Sequence, residues 1–289
     1  MSKISAPKHF ETLLSRLDAD IQRVPYLRSK KNSIRYCLTP SAHTQKSDIV
    51  ILHGTGNHPL FPLAHYTDNF LKLGHRVHFA SIDGHSCSQV PFAAQHVHSF
   101  AYDFLAGFDK YIPLHFFGFS LGSLLLAHYL ITYQPKNVLS YSAIGIPLRV
   151  NLTLWPSIFE PSMIFSPSVW KQTWRYYSFG GMLSFLSPKR RHHFPLLIAD
   201  TDQHLLYLTP FIRAINQIAS ELEPNKLTIP SLFIQGNLDF IAKAAVVREF
   251  CSGHDNLEFR KIWGTHFSSI FSESARLKIK EFIAEHDSH

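Results

Sequence analysis

Leu114-His115-Phe116-Phe117-Gly118-Phe119-Ser120-Leu121-Gly122 reads as an apolar strand that runs straight into Gly-Xaa-Ser-Xaa-Gly, and Ser123-Leu124-Leu125-Leu126-Ala127-His128 continues it as a helix. A serine on so sharp a strand-to-helix turn has strained backbone angles and stands above the sheet edge. Its neighbours two positions away are crowded against it, so glycine is the residue that fits at Gly118 and Gly122. The helix that follows points its N-terminal dipole and free N–H groups at any negative charge that develops there. The pentapeptide alone is weak evidence. Its place after an apolar strand and before a helix gives it meaning.

Outward from this turn, short apolar runs alternate with helical stretches. Asp48 to Leu52, Val77 to Ile82, Leu114 to Phe117 and Val138 to Ala143 read as buried strands. Asn69 to Leu73, Phe92 to Asp109 and Leu121 to Tyr133 read as the helices between them. The alternation returns near the end, with strands at Ser231 to Gln235 and Leu257 to Ile262 and helices at Lys243 to Cys251 and Ser272 to Glu285. The expected fold class is α/β, a mainly parallel twisted sheet with helices on both faces. Within residues 1–28, the spacing of Phe10, Leu13, Leu14, Leu17 and Ile21 predicts an amphipathic helix.

The stretch 147–206 has a different texture, with six prolines, Trp155, Trp170 and Trp174, and no strand alternation. An inserted helical cap fits it, leaving 1–146 and 207–289 as the core. Its aromatics either line an apolar cleft or form the cap's own small core, and the sequence leaves both open.

A serine hydroxyl needs a base to remove its proton. His266 follows the last expected strand, and Gly264 before it permits a tight turn that swings the imidazole over the sheet. His254 and His85 lie in less suitable loops. The base in turn needs a group to orient it and to stabilise its protonated form. Asp239, just beyond Ile234-Gln235-Gly236, is the candidate; as a lone loop aspartate it could also serve as a turn or cap. The order serine, acid, histidine matches the order this architecture requires. Upstream, His53-Gly54-Thr55-Gly56 follows the first long strand. The backbone N–H groups of Thr55 and Leu121 are the expected donors to an oxyanion, with Gly54 giving the turn its freedom. The turn lacks the lysine of a P-loop and the full dinucleotide fingerprint.

Together with Asp83-Gly84-His85-Ser86, these motifs resemble the α/β-hydrolase superfamily, and within it the carboxylesterase and monoacylglycerol-lipase-like members with a helical cap. The resemblance covers about residues 34 to 289. It implies a serine hydrolase that forms and hydrolyses an acyl-enzyme, needs no cofactor, and uses Ser120, Asp239 and His266. The substrate implied is a small or lipid-like carboxylic ester with an apolar acyl part, with Phe119, Trp155, Trp170 and Trp174 as candidate lining residues. One departure is the turn Asp83 to Ser88, where relatives often carry Arg-Gly-His-Gly-Xaa-Ser.

Composition bounds the alternatives. The chain of 289 residues is 45% hydrophobic and 17% charged, which argues against wholesale disorder. The formal net charge is +7, part of it in Arg28-Ser29-Lys30-Lys31 and in Lys189-Arg190-Arg191. Both runs read first as solvated surface. The sharper reading is attraction to an anionic surface, substrate or acidic partner protein; for the second run that partner would be an acidic acyl carrier or a coenzyme A thioester, which would make the protein an esterase or thioesterase of carried acyl groups. A non-catalytic ligand-binding protein on the same fold is the alternative of another class. No nucleic-acid signature accompanies the basic balance. The nineteen histidines are scattered without ligand spacing, so no metal is expected. Three separated cysteines form no disulfide framework, and Met1 to Lys8 lacks the apolar core of a signal peptide. With no apolar run long enough to span a bilayer, the expected location is cytoplasmic.

Overall fold

The computed structural model describes residues 14–28, 31–41, 46–55, 59–60, 63–83, 85, 88, 90, 94–150 and 212–287. The apolar runs form one sheet with strand order β1-β2-β4-β3-β5-β6-β7-β8. Its strands are β1 (Ala19–Arg28), β2 (Lys31–Pro40), β3 (Asp48–Leu52), β4 (Arg76–Ala80), β5 (Leu114–Phe119), β6 (Val138–Ile144), β7 (Ser231–Gly236) and β8 (Leu257–Ile262). β1 and β2 pair antiparallel, as do β2 and β4; the remaining pairings are parallel. Every residue of β3, β5 and β7 is buried. Central parallel strands are covered on both faces, which is why they read as unbroken apolar runs.

Helices cover the two faces. α1 (Ala64–Lys72) and α5 (Glu273–His286) join a core of Ile49, Ile51, Phe79, Phe117, Ile234, Ile279 and Phe282. α2 (Phe100–Leu105), α3 (Leu121–Tyr133), α4 (Ala244–Cys251) and the helical stretch 212–220 join a core of Val50, Phe104, Phe116, Leu125, Ile215, Phe233 and Val247. The expected helix from Phe92 to Asp109 is in fact a 3-10 turn, Ala94–Ser99, followed by the short α2. Its buried residues Val97, Phe100, Ala101 and Phe104 still fall at helical spacing.

The N-terminal expectation needs correction from Ala19 onward, while Phe10 and Leu13 lie outside the described residues. Ala19–Arg28 is an edge strand, and Ile21 faces Leu38 across the β1–β2 pair. A proline ring removes a helical N–H and clashes with the preceding turn, whereas an edge strand tolerates it. Pro25 is that proline. Leu14 is still helical, and the chain turns before entering the strand, so Ile21 keeps a helical spacing only by coincidence. Arg28 also departs from the solvated-surface reading, for it is 2% exposed. Its Nε and Nη2 donate to Asp83 Oδ2 at 2.9 and 2.7 Å, and its Nη1 donates to Asp103 Oδ2 and Ser99 Oγ at 2.7 Å each. Residues 151–211, with Trp155, Trp170, Trp174, Lys189, Arg190 and Arg191, lie outside the described residues, as does most of the expected cap.

The chain leaves β3 for β4 on one side and later crosses to β5 on the other. In an open parallel sheet, the crevice beyond the strand ends at such a reversal is where ligands bind. His53 and Gly54 leave β3 there, and Ser120 leaves β5 beside them.

Candidate active site

The turn after β5 is held in a conformation that L-residues seldom adopt. Ser120 has φ +50° and ψ −119°. Its N–H donates to Ile144 O at 2.9 Å, and Ser123 Oγ donates to Ser120 O at 2.5 Å. A Cβ on Gly118 would stand 2.3 Å from Ser123 Cα, and one on Gly122 would stand 2.3 Å from Leu52 O. Both glycines are therefore demanded by close backbone approach, the second because α3 starts directly against the end of β3. Strain of this kind, of order 1–3 kcal/mol, persists only where the surroundings over-determine it.

The histidine and the aspartate arrive from β8 and β7. His266 Nε2 lies 2.9 Å from Ser120 Oγ, and its Nδ1 lies 2.8 Å from Asp239 Oδ2. An ionised carboxylate only accepts, so Nδ1 carries the proton and Nε2 is left to accept from the serine hydroxyl. Asp239 Oδ1 accepts from the Ile241 and Ala242 N–H groups at 2.9 and 2.7 Å, which fixes the carboxylate plane. The three residues are 8%, 4% and 5% exposed in the order serine, histidine, aspartate, so their hydrogen bonds work in a region of low dielectric. Among the described residues, His266 is the histidine hydrogen-bonded to Ser120.

The roles of three supporting residues escaped the sequence reading. Gln235 donates its amide to Ala242 O at 2.5 Å and to Asp239 Oδ2 at 3.4 Å, bracing the aspartate loop. Gly236 carries no Cβ because one would meet Gly264 O at 2.3 Å, where the two loops touch. Gly145, at φ +66°, would place a Cβ 3.0 Å from His266 Cε1. Phe119, expected to line a substrate cleft, is instead fully buried. Its ring packs 5.4 Å from the imidazole of His266 and 6.2 Å from Phe267, so it supports the base from below.

The His-Gly turn is fixed by its own histidine. His53 is fully buried, its Nδ1 2.8 Å from Gly54 O, and its Nε2 accepts from the Ile82 N–H at 2.9 Å. One nitrogen therefore donates and the other accepts, which sets a neutral tautomer. His85 packs its ring 5.0 Å from His53, with its Nδ1 2.9 Å from Asp83 O. Arg28 reaches this turn from the end of β1, and Asp83 receives its guanidinium. Thr55 is half-buried beyond Gly54, and Leu121 is the first residue of α3, whose opening N–H groups have no partner within the helix.

No protein-family model matches the chain, and none of the curated proteins matches it in sequence. Solved structures do match. An esterase from Pyrococcus furiosus shares 14% identity, with 95% of this chain and 94% of that one covered and a TM-score of 0.65. A thermophilic esterase from Thermogutta terrifontis shares 12% identity over 92% of this chain and all of its own, with a TM-score of 0.61. The chain has the α/β-hydrolase fold. A thioesterase domain from the curacin biosynthetic pathway shares that hydrolase fold at 11% identity, covering 91% of this chain and 99% of its own, with a TM-score of 0.61. At such identities the likeness reaches the arrangement of the sheet and no further. Among the described residues no group of histidine, cysteine, aspartate and glutamate could hold a metal ion, and no helix is long and apolar enough to cross a membrane.

Proposed function

We propose that the protein is a serine hydrolase that cleaves a carboxylic ester with an apolar acyl part. The observation that carries this reading is the hydrogen-bonded series Asp239–His266–Ser120, with the serine at positive φ above the strand ends. In the first half-reaction Ser120 Oγ attacks the ester carbonyl carbon while His266 Nε2 takes the hydroxyl proton. Asp239 holds the imidazole in the right tautomer and stabilises the imidazolium. The N–H groups of Thr55 and Leu121 receive the oxyanion. The imidazolium then gives its proton to the departing alcohol. A water, deprotonated by His266, attacks the acyl-enzyme, and the carboxylic acid leaves as Ser120 recovers its proton.

A fluorophosphonate should label the protein at Ser120, and Ser120→Ala should abolish both labelling and turnover. Asp239→Asn and His266→Ala should each lower kcat by on the order of 10³–10⁴. A protein that is not labelled and turns over no ester would be the non-catalytic binder. The neighbouring thioesterase fold gives one reason to include thioesters beside esters of graded chain length. Each buried methylene contributes about 0.8 kcal/mol, so two added carbons should raise kcat/KM roughly tenfold until the pocket is full. A rate that is flat with chain length would remove the apolar acyl part from this reading. An acidic carrier engaged through Lys189, Arg190 and Arg191 would show as a salt-sensitive advantage of carrier-linked over free thioesters.

A further inference from the structure

Apolar side chains are left in water beside the candidate site in a way that the hydrolytic reading does not use. Among the described residues the exposed large hydrophobics number eight, and three of them, Leu238, Phe240 and Trp263, lie in the two short loops that carry Asp239 and His266. Their exposures are 40%, 56% and 79%. The loops are stitched together, for the Leu238 N–H donates to Gly264 O at 2.9 Å and the Gly264 N–H donates to Asn237 Oδ1 at 3.0 Å. Leu238 and Trp263 are thus neighbours although they are far apart in sequence.

The charge around them has one predominant sign. Alternation along β8 puts Phe259, Lys261 and the following Trp263 on one face of the edge strand, the face that α4 covers. Lys243 opens α4 three residues after Phe240, and Arg248 lies over the Phe259 ring at 5.4 Å. Glu249 is the acidic residue of α4, while Glu258 is engaged by Arg260 and Lys278. Large apolar side chains flanked by lysines form the pattern that sits at the boundary of a bilayer, with aromatic rings at headgroup level and ammonium groups reaching phosphates.

We infer that Leu238, Phe240 and Trp263, ringed by Lys243 and Lys261, form a docking surface for an anionic phospholipid bilayer at the edge of the candidate site. An anionic lipid surface satisfies both halves of the patch, the apolar side chains entering the acyl boundary and the lysines meeting the headgroups. Under the proposed hydrolase activity, a site held at that boundary would draw its esters from lipid and not from free solution.

The test is read on the full chain carrying Ser120→Ala, so that docking holds or fails apart from the chemistry. Vesicles of phosphatidylcholine, with and without phosphatidylglycerol, are sedimented with the protein at low and high salt. Co-sedimentation should require the anionic lipid and weaken with salt. Phe240→Ser with Trp263→Ser should abolish it, and each of Lys243→Gln and Lys261→Gln should weaken it by on the order of fivefold. The substituted positions are exposed, so thermal unfolding should be unchanged. An equally folded Phe240→Ser/Trp263→Ser variant that still binds would overturn the proposal, as would a parent chain that ignores anionic vesicles. A parent dimer dispersed by the two serines, with no vesicle binding, would assign the patch to a second copy of the chain instead.

Discussion

At the scale of single residues, the candidate site depends as much on absent side chains as on present ones. Gly145 belongs to no recognisable motif, yet a methyl group there would press on the His266 ring from 3.0 Å while the backbone stays at φ +66°. Gly145→Ala should therefore displace the imidazole and lower kcat by on the order of 10²-fold, the usual cost of a small misplacement. Circular dichroism should show the fold retained, and a kcat equal to the parent's would mean that the base has room to spare. Ser120, Asp239 and His266 were legible because their order and their strand-end positions are local features of the sequence. Gly145 and Gln235 were not. Their roles arise from what β6 and β7 lie beside, and neither a glycine after a strand nor an amide within one announces its neighbour across the sheet.

At the scale of elements, the same division explains the N-terminal hairpin. The buried parallel strands were readable as apolar runs, and β3 and β8 matched their expected bounds residue for residue. β1 is half-exposed at an edge, so its residues alternate irregularly and its helical spacing misled. Its contribution is electrostatic and tertiary, for Arg28 ends the strand inside the protein with Asp83 and Asp103. Asp83 in turn borders Ile82, whose N–H holds His53, so the hairpin braces the His-Gly turn. Arg28→Met removes the guanidinium that both carboxylates share and should cost about 3 kcal/mol, a figure at the lower end for buried pairs because Asp103 is partly exposed. Denaturant titrations of parent and variant at neutral pH measure it. Equal unfolding free energies would mean that the ion pairs contribute no net stability.

At the scale of the whole molecule, acid sensitivity should come chiefly from the end of the sheet opposite the candidate site. His115 on β5 is fully buried, with its Nδ1 2.8 Å from Ser140 Oγ and its Nε2 3.5 Å from Asp287 Oδ1. Burial pushes its pKa down to about 4; nearby His75 and His286 push the same way, and Asp287 opposes them. His75, packed on Ser47 O and facing Asp287 and Lys46, is also lowered, first by burial. In the unfolded chain an imidazole takes its proton near 6.5, so between there and 4 the unfolded state binds more protons. Stability from His115 is thus intact above pH 6.5 and is lost as the pH falls, by about 3 kcal/mol in all. His78 works in the opposite direction. Its bonds to Asp48 and Cys37 outweigh desolvation and raise its pKa, so its contribution is full below 6.5 and fades as the pH rises through the raised value. The two effects separate by mutation. His115→Asn keeps a polar partner for Ser140 and removes the titrating ring, so its unfolding free energy should fall less steeply than the parent's between pH 6.5 and 4. Parallel curves for parent and variant would place the acid sensitivity elsewhere, with the paired carboxylates of Asp48 and Asp287, both held below the ordinary range, as the remaining groups on that side of the sheet.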